Sequence, residues 1–286
     1  MSAQVLRIDG LSVQVVGKPA SQRVVADVSF DVHQGETLCV VGESGSGKSV
    51  TALSIMGLLP RGSLASAGGR ILVEDEDILT ASESRLRALR ATRMAMVFQE
   101  PMTALNPVEP VGKQVDEVLR VHGKFTRAER RERVLAMLDA VHLPNVRQIY
   151  DAYPHQLSGG QRQRIVISMA LVLQPKLLIA DEPTTALDVT TQAQILALIR
   201  ELQEKHNTAV MFITHDFGVV AEIADRIVVI HRGCVVEVGA REDILARPRE
   251  AYTRMLVAAV PSLIPRQREA LGDEIVLDVV KLNKTY

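Results

Sequence analysis

A glycine-rich loop, GESGSGKS at residues 42–49, sets narrow limits on the fold of this chain. The continuous apolar run Thr37–Val41 before it predicts a strand buried on both faces of a parallel sheet, and we expect a helix over about 48–57 after it. Glycines let the backbone wrap closely around an anion, while the N–H groups at a helix start supply positive potential. The spacing G-x-x-x-x-G-K-[ST] in this strand–loop–helix context therefore predicts a phosphate-binding loop.

The loop is expected to hold a nucleotide and its metal ion. Lys48 should reach the β- and γ-phosphates, and Ser49 should place its hydroxyl on Mg²⁺. The predicted nucleotide-binding residues of this segment are Gly42, Glu43, Ser44, Gly45, Ser46, Gly47, Lys48, Ser49 and Val50.

An apolar strand predicted over residues 177–180 ends in two adjacent carboxylates. Asp181, at the carboxyl end of this strand, is placed to contact Mg²⁺ directly or through water. Glu182 is then placed to orient or deprotonate an attacking water. A solvated turn is the alternative interpretation of two acidic residues after a strand. Together with the phosphate loop, the pair predicts a P-loop NTPase, a class that includes GTPases, kinases and motors.

A second helix start has the chemistry of an anion site. In the sequence LSGGQ, Ser158 is a predicted N-cap, followed by Gly159, Gly160 and Gln161 and by a helix expected over about 162–173. One chain has one nucleotide to hold, yet it has two helix starts suited to phosphate. The economical explanation is that the second serves a nucleotide held by a facing partner; an accidental surface loop is the alternative.

The composition excludes several classes of protein. Hydrophobic residues make up 47% of the 286 residues, which suits a globular core, and a formal net charge of −1 gives no reason to expect a nucleic-acid partner. Cys39 and Cys234 are far apart and are predicted to be small buried residues, with neither a metal site nor a disulfide. No secretory signal and no run of about 20 apolar residues is visible, so we expect a soluble, cytoplasmic protein whose role at a membrane comes from a partner.

Taken together in order, the motifs resemble the ATP-binding cassette (ABC) ATPases over about residues 4–265. The set consists of GESGSGKS at 42–49, a glutamine at 99, LSGGQ at 157–161, IADE at 179–182, ALD at 186–188 and THD at 214–216. The resemblance implies that Gln99 touches the metal and the attacking water, that Asp188 lies across a dimer interface, and that His215 contacts the γ-phosphate. It implies ATP and Mg²⁺ as cofactors. The implied roles are catalysis for Glu182, His215 and Gln99, metal binding for Ser49, Gln99 and Asp181, and nucleotide binding for Ser158, Gly159, Gly160, Gln161 and Asp188.

The resemblance also implies the fold and the segments of the chain. Strands alternating with helices from about residue 176 independently favour an α/β class. We expect a P-loop NTPase (RecA-like) core with an N-terminal antiparallel β-subdomain and an inserted helical subdomain. The predicted segments are 1–99 (first part of the core with the antiparallel β region), 100–160 (helical subdomain with the LSGGQ loop), 161–240 (second part of the core), 241–275 (C-terminal extension or linker) and 276–286 (start of a second cassette copy).

Four longer segments resemble the corresponding segments in the ATPases of peptide, nickel and glutathione importers. They are FQEPMTALNP at 98–107, HQLSGGQRQR at 155–164, DEPTTALDVTTQAQIL at 181–196 and RPREAYTRML at 247–256. The implied function is to bind and hydrolyse ATP for an importer, as a head-to-tail pair of cassettes. The implied partners are a second nucleotide-binding domain, transmembrane permease subunits and, indirectly, a substrate-binding protein. The implied location is peripheral, at the cytoplasmic face of the inner membrane, with residues 100–156 docking the permease.

An internal repeat suggests where the second cassette lies. Residues 276–286 align without gaps to residues 5–15 in hydrophobic pattern, which predicts that the partner cassette is the C-terminal half of the same polypeptide; two unrelated strands are the alternative. The family often stacks an aromatic residue on adenine, where this chain has about Val15. We therefore expect an apolar adenine contact or one from elsewhere, and Tyr286 is the aligned residue of the second copy. Residues 241–275 contain no cysteine, so no iron–sulfur cluster is expected.

The alternative function is a soluble cassette ATPase that acts on nucleic acid or ribosomes. The stretch between Gln99 and Leu157 is too short for the long coiled-coil arm of the DNA-repair relatives, and 241–275 is neither long nor strongly charged, as a ribosomal linker is. A GTPase-type switch would need an N-K-x-D motif, which is missing, and would not explain LSGGQ.

Overall fold

A computed structural model of the protein describes residues 3–19, 22–99, 104–185, 187–260, 278 and 280–284. The strands are β1 (Gln4–Val15), β2 (Arg23–His33), β3 (Thr37–Val41), β4 (Leu64–Val73), β5 (Glu76–Asp77), β6 (Met94–Val97), β7 (Leu177–Asp181), β8 (Ala209–Thr214), β9 (Arg226–His231) and β10 (Cys234–Ala240). The principal helices of these residues are α1 (Lys48–Ile55), α2 (Glu83–Leu89), α3 (Val111–His122), α4 (Arg127–Ala140), α5 (Val146–Tyr150), α6 (Gly159–Leu171), α7 (Val189–His206), α8 (Phe217–Ile223), α9 (Arg241–Ala246) and α10 (Ala251–Ala258).

The larger sheet has the strand order β10-β9-β3-β8-β7-β6. Its strands are parallel except β10, which pairs antiparallel with β9. Every residue of β3, β7 and β8 is buried, as expected for central strands covered on both faces. Because the carboxyl ends of parallel strands meet at one edge, this sheet brings together the loop after β3, the carboxylates at the end of β7 and the residues after β8.

The smaller sheet is antiparallel and has the order β2-β1-β4-β5. Its buried side chains, such as Leu6, Ile8 and Ile71, share one apolar core with Val40 of β3 and with Ile55 of α1. The predicted α/β class, with a P-loop core and an antiparallel β region, is confirmed. Residues 76–77 pair with β4 as strand β5, directly after a turn at residues 74–75.

Helices α3, α4, α5 and α6 form the helical part of the chain between β6 and β7. A capping box starts α4: the backbone N–H of Thr126 donates to Glu129 Oε2 at 2.7 Å, and that of Glu129 donates to Thr126 Oγ1 at 3.3 Å. The helix expected over 162–173 starts earlier, at Gly159, because Ser158 already caps its first turn.

Other predictions fared differently. Both cysteines are free, but only Cys39 is buried; Cys234 is exposed at the start of β10, so its predicted burial was wrong. The proposed second copy at 276–286 lies partly outside the described residues, and both it and the segment boundaries stay predictions. Within the ranges described, no helix is both long and apolar enough to cross a bilayer.

Candidate functional site

The loop 42–49 runs from the end of β3 to the start of α1, as predicted. A side chain at Gly42 would clash with the backbone carbonyl oxygen of Ile230, so only glycine fits there. Gly47, with a φ of +104°, is the N-cap of α1 and provides no side-chain cap. The first N–H groups of α1 consequently have no partner within the helix and remain available for an anion.

Lys48 is 5% exposed and lies folded against its own loop. Its Nζ donates to the carbonyl oxygens of Gly42 at 2.7 Å and Glu43 at 2.8 Å. Burial lowers the pKa of Lys48, although the nearby carboxylates of Glu182 and Asp181 oppose that shift. The ammonium group is thus held at the mouth of the loop by carbonyl dipoles, where a phosphate can take over its hydrogen bonds.

Ser49 and Asp181 bring two oxygen ligands together. The Ser49 hydroxyl donates to Asp181 Oδ1 at 3.2 Å, and Asp181 is 5% exposed. Burial raises the pKa of Asp181, which means that its carboxylate lacks adequate solvation in the protein alone. A hydroxyl and an under-solvated carboxylate suit a hard cation such as Mg²⁺.

Two further observations bear on whether a magnesium nucleotide fits. Among the described residues, no group of three or more His, Cys, Asp or Glu side chains could hold a metal ion by itself. Ser46 Oγ is buried in the loop without a hydrogen-bond partner. Such an orphaned hydroxyl fits a site completed by an oxygen-rich ligand.

Glu182 is the centre of a hydrogen-bonded cluster. Its Oε2 accepts from Gln99 Nε2 at 3.1 Å and from Thr185 Oγ1 at 3.0 Å, and its Oε1 lies 3.1 Å from Nδ1 of His215. Glu182 has a φ of +47°, which is unusual for a residue with a side chain, and its N–H donates to the carbonyl of Ile213. This strained backbone fixes the direction of the carboxylate beyond the sheet edge.

The cluster joins all three predicted catalytic residues and adds one that sequence reasoning missed. Thr185 fixes the same carboxylate oxygen as Gln99, and its position three residues after Glu182 was the available signal. Gln99 was also predicted to touch the metal. Its side-chain hydrogen bond in the structure goes to Glu182, and none joins it to Ser49 or Asp181 among the described residues.

The LSGGQ loop forms a tightly capped helix start. Ser158 Oγ accepts from the N–H of Gln161 at 3.2 Å, and Gln161 Oε1 accepts from the N–H of Ser158 at 2.9 Å. A Cβ added at Gly160 would lie 2.6 Å from Thr191 Cγ2, so α6 packs closely on α7 at this point. No hydrogen bond in the described part of the chain connects this loop to the loop 42–49.

Asp188 is the N-cap of α7 and hydrogen-bonds to Thr191, the residue that lies next to Gly160. Its carboxylate accepts from the Thr191 N–H at 2.9 Å and from the Thr191 hydroxyl at 2.7 Å, and these hydrogen bonds lower its pKa. Ala186, in the predicted ALD motif, lies outside the described residues. Sequence reasoning did not anticipate that Thr191 joins Asp188 to Gly160.

The remaining loop residues divide by exposure. Glu43, Ser44 and Gly45 are exposed, whereas the Val50 side chain packs on the core of the smaller sheet, which leaves its backbone for any ligand contact. The Glu43 N–H donates to the hydroxyl of Tyr252, a contact that the sequence did not suggest.

Comparison with known proteins agrees with this geometry. Residues 25–185 match the family model described as ABC transporter. The dipeptide transport ATP-binding protein DppD of Bacillus subtilis (strain 168) is 49% identical over 260 residues, which cover 91% of this chain and 78% of that protein. The glutathione import ATP-binding protein GsiA of Pectobacterium atrosepticum is 50% identical over 265 residues, covering 91% of this chain but 42% of that protein.

Two solved structures are similar in fold. CbiO1 from Clostridium perfringens, part of the ABC transporter complex cbiONQ, has a TM-score of 0.73 at 27% identity and covers 86% of this chain and 92% of its own. The dimeric post-hydrolysis state of the ATP-binding cassette MJ0796, bound to ADP and Pi, has a TM-score of 0.70 at 28% identity, covering 82% and 98%.

A phosphate loop beside strand-end carboxylates on a buried parallel sheet defines a P-loop nucleotide hydrolase. With the LSGGQ helix start and the similarities above, the class narrows: the chain belongs to the ABC transporter family and is an ATP-binding, ATP-hydrolysing cassette.

Proposed function

We propose that this cassette powers the import of peptides or peptide-like solutes, such as glutathione, through a membrane permease. The substrate class rests on relatives at 49–50% identity over 91% of this chain, named for dipeptide transport and glutathione import. The proposed location is peripheral, at the cytoplasmic face of the membrane, where the helical part of the chain would dock the permease.

The observation that carries the catalytic proposal is the 3.2 Å contact between the Ser49 hydroxyl and Asp181 Oδ1, next to the buried Lys48. We assign Ser49 and Asp181 to hold Mg²⁺, which when bound neutralises charge on the phosphates. Lys48 exchanges its carbonyl partners for phosphate oxygens, and the N–H groups of the loop and of the first turn of α1 hold the remaining oxygens.

Glu182 is proposed to orient the attacking water and accept its proton. Three neighbours contact its carboxylate, two at Oε2 and one at Oε1, so the side chain is positioned before the substrate arrives. The His215 side chain is 61% exposed, against 16% for Glu182. His215 therefore has room to turn toward a γ-phosphate that enters from outside.

The second phosphate cradle is proposed to act on a partner's nucleotide. Ser158, Gly159, Gly160 and Gln161 would face the ATP of a second cassette in a head-to-tail pair, with Asp188 at the interface. Val189, directly after Asp188, is 84% exposed, so this part of the chain is accessible to a partner. The dimeric assembly of the MJ0796 cassette supports the same arrangement.

The catalytic proposal is tested by Glu182→Gln. Loss of a general base costs about 10²–10⁴-fold in rate, while the hydrogen bonds that hold ATP are not touched. We expect ATP affinity to change by less than about twofold and hydrolysis to fall by that large factor. Glu201→Gln is the matched control, because Glu201 also pairs with a histidine, His142 at 2.8 Å, but on an exposed surface. Undiminished hydrolysis by the Glu182 variant would refute the assignment.

The transport proposal is tested by affinity purification from solubilised membranes with ATP and magnesium. We expect permease subunits to co-purify, and the reconstituted complex to take up a labelled dipeptide or glutathione only with ATP. Recovery of ribosomes or nucleic acid without any permease would overturn import and favour the soluble cassette ATPase.

A further inference from the structure

Tyr252 reaches the phosphate loop from a distant part of the chain. It lies in α10, and its hydroxyl accepts a hydrogen bond from the backbone N–H of Glu43 at 3.2 Å. Its ring packs on the imidazole of His231 at the end of β9, with centroids 3.9 Å apart and an angle of 38° between the planes. The side chain is therefore held by its ring and presents its hydroxyl to the loop.

The helix that carries Tyr252 is itself anchored. No side chain of α10 caps its own N-terminus. Instead the Glu237 carboxylate on β10 accepts from the N–H groups of Arg249 at 2.8 Å and Glu250 at 3.2 Å. Burial alone would raise the pKa of Glu237, but the hydrogen bonds to its carboxylate outweigh it and leave the pKa lowered. The charged carboxylate thus fixes α10 on β10.

The bonded peptide is the one that also holds Lys48. The N–H of Glu43 and the carbonyl of Gly42 belong to the same peptide unit, and that carbonyl accepts from Lys48 Nζ at 2.7 Å. Because a peptide unit is planar, a hydrogen bond on its N–H side restricts the direction of its C=O. The two hydrogen bonds also polarise each other. Tyr252 is in this way connected to Lys48 through a single rigid unit.

The same loop is held at a second point. The N–H of Gly233, in the turn between β9 and β10, donates to the carbonyl of Ser46 at 2.9 Å. The β9–β10 hairpin thus contacts the loop at Ser46, and α10 contacts it at Glu43. Burial raises the pKa of Tyr252, so its phenol stays neutral and its oxygen keeps a proton while it accepts from Glu43.

We propose that Tyr252 is a positioning residue for ATP: its hydroxyl fixes the Gly42–Glu43 peptide and thereby the starting position of Lys48. The C-terminal helix becomes part of the nucleotide-binding machinery. This inference rests on the proposed function, since it requires that ATP binds at the loop 42–49. It concerns the ordering of the loop before binding, and therefore affinity more than the chemical step.

The test is Tyr252→Phe, which removes the hydroxyl and keeps the ring on His231. Loss of one such hydrogen bond predicts a rise of about 2- to 10-fold in the Kd of a fluorescent ATP analogue and in the KM for ATP. The kcat at saturating ATP should stay unchanged, and the Tm of the nucleotide-free protein should fall by no more than the few degrees that one hydrogen bond contributes. Tyr150→Phe is the matched control, since it removes a phenolic hydroxyl from the helical part of the chain and should not change the Kd, KM or kcat.

Lys48→Ala tests the proposed nucleotide site separately from the role of Tyr252. If Lys48→Ala binds the analogue as tightly as the unchanged protein, the proposed nucleotide site itself is wrong. If Lys48→Ala loses affinity while Tyr252→Phe retains the original Kd and KM, only the role of Tyr252 is overturned. A fall in Tm larger than that, or a lower kcat, for Tyr252→Phe at an unchanged KM would make Tyr252 a structural residue and would overturn the proposal.

Discussion

Replacing Asp181 with asparagine separates the cost of a buried charge from its use as a ligand. Asp181 is 5% exposed, and its one side-chain hydrogen-bond partner in the described residues is the Ser49 hydroxyl at 3.2 Å. Asparagine has the same shape, is neutral, and still accepts from Ser49 through Oδ1. Because the carboxylate is poorly solvated in the free protein, we expect Asp181→Asn to be at least as stable as the unchanged chain without nucleotide.

With magnesium and ATP, the unchanged protein should instead be more stable than Asp181→Asn. A ligand at 100 times its Kd stabilises the folded state by about 2.7 kcal/mol, which at about 2–4 °C per kcal/mol raises Tm by about 5–10 °C. If asparagine weakens binding about 100-fold, the same ligand concentration equals the new Kd and contributes only about 0.4 kcal/mol, or about 1 °C.

Thermal unfolding measures both effects in one experiment. Samples contain no nucleotide, ATP with EDTA, or ATP with magnesium, and the Tm values are compared. Asp139→Asn is the control, because Asp139 is exposed in α4, and it should show the full magnesium-dependent rise. A full rise in Asp181→Asn would contradict the metal role of Asp181. A Tm several degrees below that of the unchanged protein without nucleotide would show that the carboxylate is structural.

Two further predictions concern the scaffold around the site. Gly160→Ala places a Cβ 2.6 Å from Thr191 Cγ2 and should lower the free energy of unfolding by about 1–3 kcal/mol. Adding Thr191→Ser, which removes the methyl group and keeps the hydroxyl on Asp188, should recover most of that loss in urea unfolding. Equal losses with and without Thr191→Ser would disprove the clash. Burial alone would raise the pKa of Asp31, but hydrogen bonds, led by the one from Arg226, leave this pKa lowered. The contribution of the Asp31 carboxylate to the stability of the fold is therefore complete above the ordinary pKa of 3.8, and it is lost as the pH falls through the lowered pKa. Asp31→Asn should therefore cost about 1 kcal/mol at pH 7 and progressively less below 3.8, whereas a cost that is constant with pH would exclude the ionic contribution.

The parts of the site that the sequence predicted are those built from neighbouring residues. The loop 42–49 follows its strand directly and leads into its helix, and Asp181 ends β7 with Glu182 directly after it. The rule that parallel strands end at one edge then brings these groups together without any further information. The capping box at Thr126 is a local feature of the same kind, since all of its atoms lie within four residues.

The parts that could not be predicted depend on packing between distant elements. Tyr252 meets Glu43 across 209 positions of sequence, so this contact depends on how α10 packs beside the loop 42–49. Gly160 fits the LSGGQ pattern, but its closeness to Thr191 follows from how α6 lies on α7. Cys234 looked like a buried residue by its type, and its exposure is decided by its place at the start of the edge strand β10.

The two proposed phosphate cradles differ in a way that fits the proposal that different molecules use them. The cradle at 42–49 is occupied by its own lysine, which bonds two loop carbonyls until a phosphate replaces them. At the other cradle, Ser158 Oγ accepts from the Gln161 N–H and still has its own proton to donate. The first N–H groups of α6 also lack partners within that helix. A phosphate can therefore bind there without breaking any bond of this chain, as a nucleotide presented by a facing cassette requires.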